Sequence, residues 1–167
     1  TNFAYYSAAR GVCASTNIFD IAARGPSSVI PNDSNVVARI TTAGVSGPIT
    51  LADNLTNRIF GVRQTTGTDA LISTYSGGTN KYLLTHSLLI SDGMASMTIG
   101  EKVNDGILSG LSPAEGLLFD VDGASGVLTV NAQILDVGAV SVPVKKYGNG
   151  RVVFAGQNVY SSTRTIF

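Results

Sequence analysis

Strict alternation of apolar and polar residues, broken by glycine-containing turns, limits this chain more than any other feature. Leu128, Val130, Ala132 and Ile134 alternate with Thr129, Asn131 and Gln133, and Val140, Val142 and Val144 alternate with Ser141, Pro143 and Lys145. Period two sends successive side chains to opposite sides of a strand, so each segment can bury one side and wet the other. The pattern recurs along the chain. Strands are expected at residues 36–41, 48–51, 58–64, 69–74, 81–90, 116–121, 126–134, 139–146, 151–155 and 163–167. Gly77-Gly78, Asp92-Gly93, Asp105-Gly106, Asp122-Gly123 and Asn149-Gly150 supply the turns between them. Tyr147-Gly148-Asn149-Gly150 reads as the clearest hairpin. Pro143 lacks a backbone donor, which places its strand at a sheet edge or a bulge. Gly106 and Gly110 leave Glu101–Leu111 room for one helical turn and no more. Short strands with regular turn signals indicate an all-β fold, expected here as an antiparallel sandwich or barrel. No internal repeat is legible.

Residues 1–34 break this rhythm and are read as an N-terminal arm or peripheral segment, leaving 35–167 as a single β domain. Phe3, Tyr5, Tyr6, Ile18, Phe19 and Ile21 are too apolar to float free, and Gly11, Pro26 and Pro31 set them apart from the regular strands. Such a segment can pair with the edge of a neighbouring subunit's sheet, which makes these six residues the candidate assembly arm. The competing reading has it complete its own domain's core. Asn2 could alternatively cap a short helix running to Arg10.

Composition narrows the function. A chain of 167 residues can bury a real core, and 44% of its residues are hydrophobic. Only 13% are charged, and Glu occurs just at Glu101 and Glu115, so the surface must be largely Ser, Thr, Asn and Gly. That suits a virion or extracellular surface, or a subunit buried against neighbours. Eleven basic and eleven acidic residues cancel, and Lys145-Lys146 is the single adjacent basic pair, which argues against a nucleic-acid partner. No apolar run is long enough for a membrane-spanning helix, so no membrane insertion is expected. The first ten residues lack the pattern of a signal peptide.

Catalytic constellations are scarce. His86 is the one histidine and falls on an apolar run with Tyr82, Leu84, Leu88 and Ile90, as a hydrogen-bonded core histidine would. Cys13 is the one cysteine and reads as a small buried apolar residue; pairing it with His86 as a nucleophilic dyad finds no local signature. Thr1 could act as an N-terminal nucleophile only with a basic neighbour that the sequence does not offer. Asp120 and Asp122 sit on one side of a strand end with Asp136 downstream, a calcium-type grouping without the remaining ligands of a twelve-residue calcium loop. A solvated Asp-Gly turn explains the first two equally well. No glycine-rich phosphate loop follows a strand. No catalytic residue, metal or cofactor is assigned from the sequence.

Two sets of short phrases resemble known families. Ile59-Phe60-Gly61-Val62-Arg63-Gln64, then Gly67-Thr68-Asp69-Ala70-Leu71-Ile72, and later Ser112-Pro113-Ala114-Glu115-Gly116 resemble the small β-rich head-decoration (cement) proteins of tailed phages. This resemblance covers roughly residues 36–120 and implies binding to a capsid lattice, often as a trimer. Ile30-Pro31-Asn32-Asp33-Ser34 and Phe119-Asp120-Val121-Asp122-Gly123-Ala124-Ser125-Gly126-Val127-Leu128 resemble the opening and middle phrases of a cadherin repeat. Asn32 stands where that family has an acidic residue, and its Asp-rich linkers are missing. The expected function is therefore a non-enzymatic structural subunit of a larger assembly, first a virion-surface or capsid-decorating protein. The alternative is an extracellular filament or adhesion domain with an immunoglobulin- or cadherin-like sandwich, and an unrecognised hydrolase is the distant third. Its partners would be copies of itself or a capsid or filament lattice.

Overall fold

A computed structural model describes residues 3–7, 11–15, 17–22, 28–41, 47–53, 55–112, 116–136, 141–161 and 164–166. All regular structure among them is strand. β1 (Phe3–Ser7) and β2 (Gly11–Ser15) pair antiparallel, so the alternative of a helix from Asn2 to Arg10 does not hold. The chain then winds in coils. The first coil contributes β3 (Ile18–Ile21), β4 (Val29–Ile30) and the start of β5 (Asp33–Ile40). The next runs through β5, β6 (Thr50–Leu51) and the start of β7 (Thr56–Gln64), and the third through β7, β8 (Ala70–Ile72) and on to β11 (Tyr82–Ile90). Within that third coil, β9 (Tyr75–Ser76) and β10 (Thr79–Asn80) form an antiparallel hairpin across Gly77-Gly78, both at positive φ as a two-residue turn requires. β12 (Met97–Ile99) and β13 (Ile107–Gly110), then β14 (Leu117–Val121), β15 (Val127–Val130) and β16 (Gln133–Ile134), and finally β17 (Val144–Tyr147), β18 (Arg151–Phe154) and β19 (Arg164–Ile166) complete the winding.

Every pairing outside the two antiparallel ribbons is parallel, and each joins a strand to its counterpart one coil away. The result is a parallel β-solenoid with three faces, in place of the expected antiparallel sandwich or barrel. The first face stacks β3, β5, β7, β11, β14, β17 and β19. The second stacks β8, β12, β15 and β18, joined to β4 and β6 through the Ile49–Ile72 bridge. The third is built from the leading halves of β7 and β11 with β13 and β16. Tyr147–Gly150 is a corner between two faces, not a hairpin: β17 and β18 lie in different sheets. Pro143 precedes β17, where its carbonyl accepts from Leu117 N–H at 2.8 Å, and β13 occupies the stretch read as a helical turn.

The same alternation that suggested antiparallel sheets builds this core. A strand in a solenoid has one side inside and one outside, so it alternates as a half-buried antiparallel strand does. On the first face, Ala38, Val62, Leu88 and Phe119 form one inward column, all fully buried, and Ile21, Ile40, Gln64, Ile90 and Val121 form the next. Leu128, Val130, Ala132 and Ile134 stay inside as the chain turns from the second face to the third. Phe119 meets Phe154 edge-on with centroids 5.3 Å apart. Burying each large apolar side chain of this kind contributes about 1.5–3 kcal/mol.

Several buried positions are polar, Asn57 and Gln64 among them. Asn57 donates to Pro31 O (3.1 Å) and accepts from Asp53 N–H (3.3 Å), tying a corner to the core. Gln64 donates to Thr68 O (2.8 Å) and Ser96 O (3.4 Å), while its Oε1 finds no hydrogen-bond partner among the described residues.

The segment 1–34 is divided. β3 is a rung of the main sheet, Ile21 and Ile30 belong to the core, and only β1 and β2 stand outside the coil pairing. Ser34 itself lies in β5.

Candidate functional site

The outward columns of the first face carry the polar chemistry. Asp20, Arg39 and Arg63 are register partners on β3, β5 and β7, one rung apart each. Thr41 and Thr65 follow the arginines by two residues and so share their side of the sheet. Arg39, Thr41, Arg63 and Thr65 line an open groove of about 290 Å³. Asp20 accepts from Arg39 Nε at 2.6 Å and from Nη2 at 2.8 Å, a two-point carboxylate–guanidinium pair. Those hydrogen bonds hold the Asp20 carboxyl below the usual carboxylate range, with burial opposing. Arg63 donates from Nε to Ser91 Oγ at 3.0 Å. Each threonine hydroxyl donates to the preceding rung: Thr41 to Ile21 O at 3.4 Å and Thr65 to Ile40 O at 2.7 Å. The guanidiniums are thus held from opposite sides, one by a carboxylate on the rung before and one by a serine on the rung after.

A second polar cluster lies at the corner after β14. Asp120 is half-buried; burial first, then the charge of Asp122, raises its carboxyl above the ordinary value, and Lys146 acts the other way. Lys146 Nζ donates to Gly148 O. Gly123, at φ +82°, backs directly onto the Asp92 carboxylate. Asp136 has a different role. Burial pushes its carboxyl up, but the hydrogen bonds it accepts from Val142 N–H (2.8 Å), Ser161 N–H (2.9 Å) and Ser161 Oγ (2.8 Å) outweigh this and leave it below the usual range. Asp120 and Asp122 interact, whereas Asp136 is a loop tie. Among the described residues, no three of His, Cys, Asp and Glu converge on a metal-sized position.

The other sequence candidates disperse. His86 is half-buried at the bend of β11, its ring tilted against Phe60 with centroids 5.3 Å apart. Of the six arm residues, Ile18 is half-buried, Phe19 is 46% exposed and Ile21 is 3% exposed. Phe3, Tyr5 and Tyr6 lie on β1, opposite Ser15, Cys13 and Val12 of β2; their side chains, that of Cys13, and Thr1 are outside the described residues. The Arg39–Arg63 groove was not legible in the sequence. Asp20, Arg39 and Arg63 are 19 and 24 residues apart, and only the coil length makes that spacing meaningful.

Among the described residues no helix is long and apolar enough to cross a membrane. No protein-family model, curated protein or solved structure matches the chain.

Proposed function

We propose that this chain is a non-enzymatic structural module of a larger surface assembly, virion or extracellular, that associates end to end by adding rungs to its solenoid. One observation carries this reading. Phe19 occupies the inward column of the first rung yet is 46% exposed, while Ala38, Val62, Leu88 and Phe119 above it are fully buried. Among the described strands none pairs with the free side of β3. A core column that reaches the open, beside a parallel edge that no other described strand pairs, is the surface on which another coil is added. The acidic and histidine candidates support a structural role by how they are used: His86 packs on Phe60, and Asp136 ties two loops.

A stalk or filament built of stacked coils follows most directly from that end rung; capsid decoration belongs to the same structural class. Light scattering across a concentration series tests the reading. The wild-type chain should form concentration-dependent linear oligomers, and Phe19→Glu should leave it monomeric with an unchanged β-type circular dichroism spectrum. A wild-type chain that stays monomeric at the highest soluble concentration defeats end-to-end association. Stoichiometric copurification with particles would then select the capsid role.

A further inference from the structure

We propose that the Arg39–Arg63 groove is a binding site for an oxyanion, a sulfate or carboxylate group, with the two guanidiniums as its donors. The inference does not depend on end-to-end association. Arg39 and Arg63 are direct register neighbours, so their charges stand about 4.8 Å apart at the backbone, the spacing of adjacent strands. Like charges placed directly opposite on a sheet repel, and an anion bound between them relieves that repulsion. Over the rungs of β3, β5 and β7 the register column places two guanidiniums beside one carboxylate, Asp20, and the next acidic residue of that column, Asp120, lies two rungs beyond Arg63, past Leu89.

The donors are also pre-set. Asp20 fixes Arg39 through two hydrogen bonds, and Ser91 accepts from Arg63 Nε, so little side-chain freedom remains to be lost on binding. Planar guanidinium forks match the oxygens of carboxylate and sulfate groups. Thr41 and Thr65 add a second character. Their hydroxyl protons are given to backbone carbonyls, which leaves the oxygens as acceptors facing the groove. Acceptors beside an anion site suit an oxyanion carried on a hydroxyl-bearing molecule such as a sugar. A free ion has no donors to offer them.

Titration of the whole chain at low salt, followed by backbone amide NMR shifts at residues 39–41 and 63–65, tests the site with two probes: inorganic sulfate and glucose 6-sulfate. Both should produce saturable shifts confined to the groove. Arg39→Gln and Arg63→Gln should each weaken binding about tenfold, the loss expected of one charged hydrogen bond. Asp20→Asn should tighten it severalfold by removing the competing carboxylate, an outcome that a purely structural ion pair does not produce. Tighter binding of glucose 6-sulfate than of sulfate, lost in Thr41→Val, assigns the site to a saccharide; equal binding assigns it to the free oxyanion. Should the arginine variants fail to fold, Asp20→Asn and the weakening of wild-type binding between 20 and 200 mM salt, roughly where screening shortens below the size of the groove's field, still decide the matter. Non-saturating shifts with both probes, or binding unchanged by Arg39→Gln, Arg63→Gln and Asp20→Asn, overturn the proposal.

Discussion

Gly106 lies at φ +79° with Thr74 against the place a Cβ would take, and its N–H donates to Asn80 Oδ1 at 2.8 Å. Gly77 is also left-handed, at φ +59°, but faces open space. Alanine at Gly77 should therefore cost only the backbone term, about 1–2 kcal/mol, whereas Gly106→Ala adds a collision with a fully buried threonine. Urea denaturation should show the larger loss of midpoint for Gly106→Ala; equal losses would mean the corner yields without strain. Asp120 makes a second prediction at this scale. Its folded carboxyl titrates above the unfolded one, because burial and Asp122 disfavour its charge. The folded state therefore binds the proton more tightly, and the penalty is present above the folded pKa and relieved as pH falls through it. Asp120→Asn should raise the melting temperature at neutral pH, with the gain shrinking as the solution is acidified toward the ordinary carboxyl range. A gain that does not change with pH would assign the effect to packing.

At the scale of elements, Asp136 joins the approach to β17 with the segment after β18 by three accepted hydrogen bonds. The tie positions Val142, which is buried in the core and packs against Gly110 of β13. Asp136→Ala should cost about 1.5–3 kcal/mol, the range for charged hydrogen bonds. Because the Asp136 carboxyl is held low, its contribution is present above the unfolded carboxyl pKa and lost as pH falls through the folded one. The variant should accordingly lose less stability on acidification than the wild type, as thermal melts across pH will show. Element positions were largely legible in the sequence. Expected strands at 58–64, 81–90 and 116–121 fall on β7, β11 and β14, because alternation marks which side is buried whatever the partner. Their direction was not legible, since alternation carries no information about whether the neighbouring strand runs up or down. The Tyr147–Gly150 corner failed for the same reason: Gly148 at φ +76° serves a solenoid corner as well as a hairpin.

Across the described ladders each rung pairs with the rungs next to it, so stability is close to a sum of rung and interface contributions. The middle rungs at 59–64, 82–90 and 117–121 are covered on both sides, and the first rung at β3 on one. Amide hydrogen exchange should therefore be slowest in β7, β11 and β14 and fastest at Ile18–Ile21 and Arg164–Ile166. Uniform protection throughout would indicate a single cooperative unit. The amino-acid sequence by itself determined the all-strand character, the inward residues and the turns, because these depend on local periodicity and on backbone freedom at glycine. Tertiary structure alone decided the parallel winding, the placement of β3 in the main sheet and the meeting of Arg39 with Arg63. Rung-to-rung spacings of 19, 24, 26, 31, 27 and 20 residues, read along Ile18, Val37, Gly61, Ser87, Leu118, Lys145 and Thr165, explain why. The hydrogen-bonded ladder keeps register whatever length of corner loop intervenes, so the repeat exists in space while its period is lost along the chain.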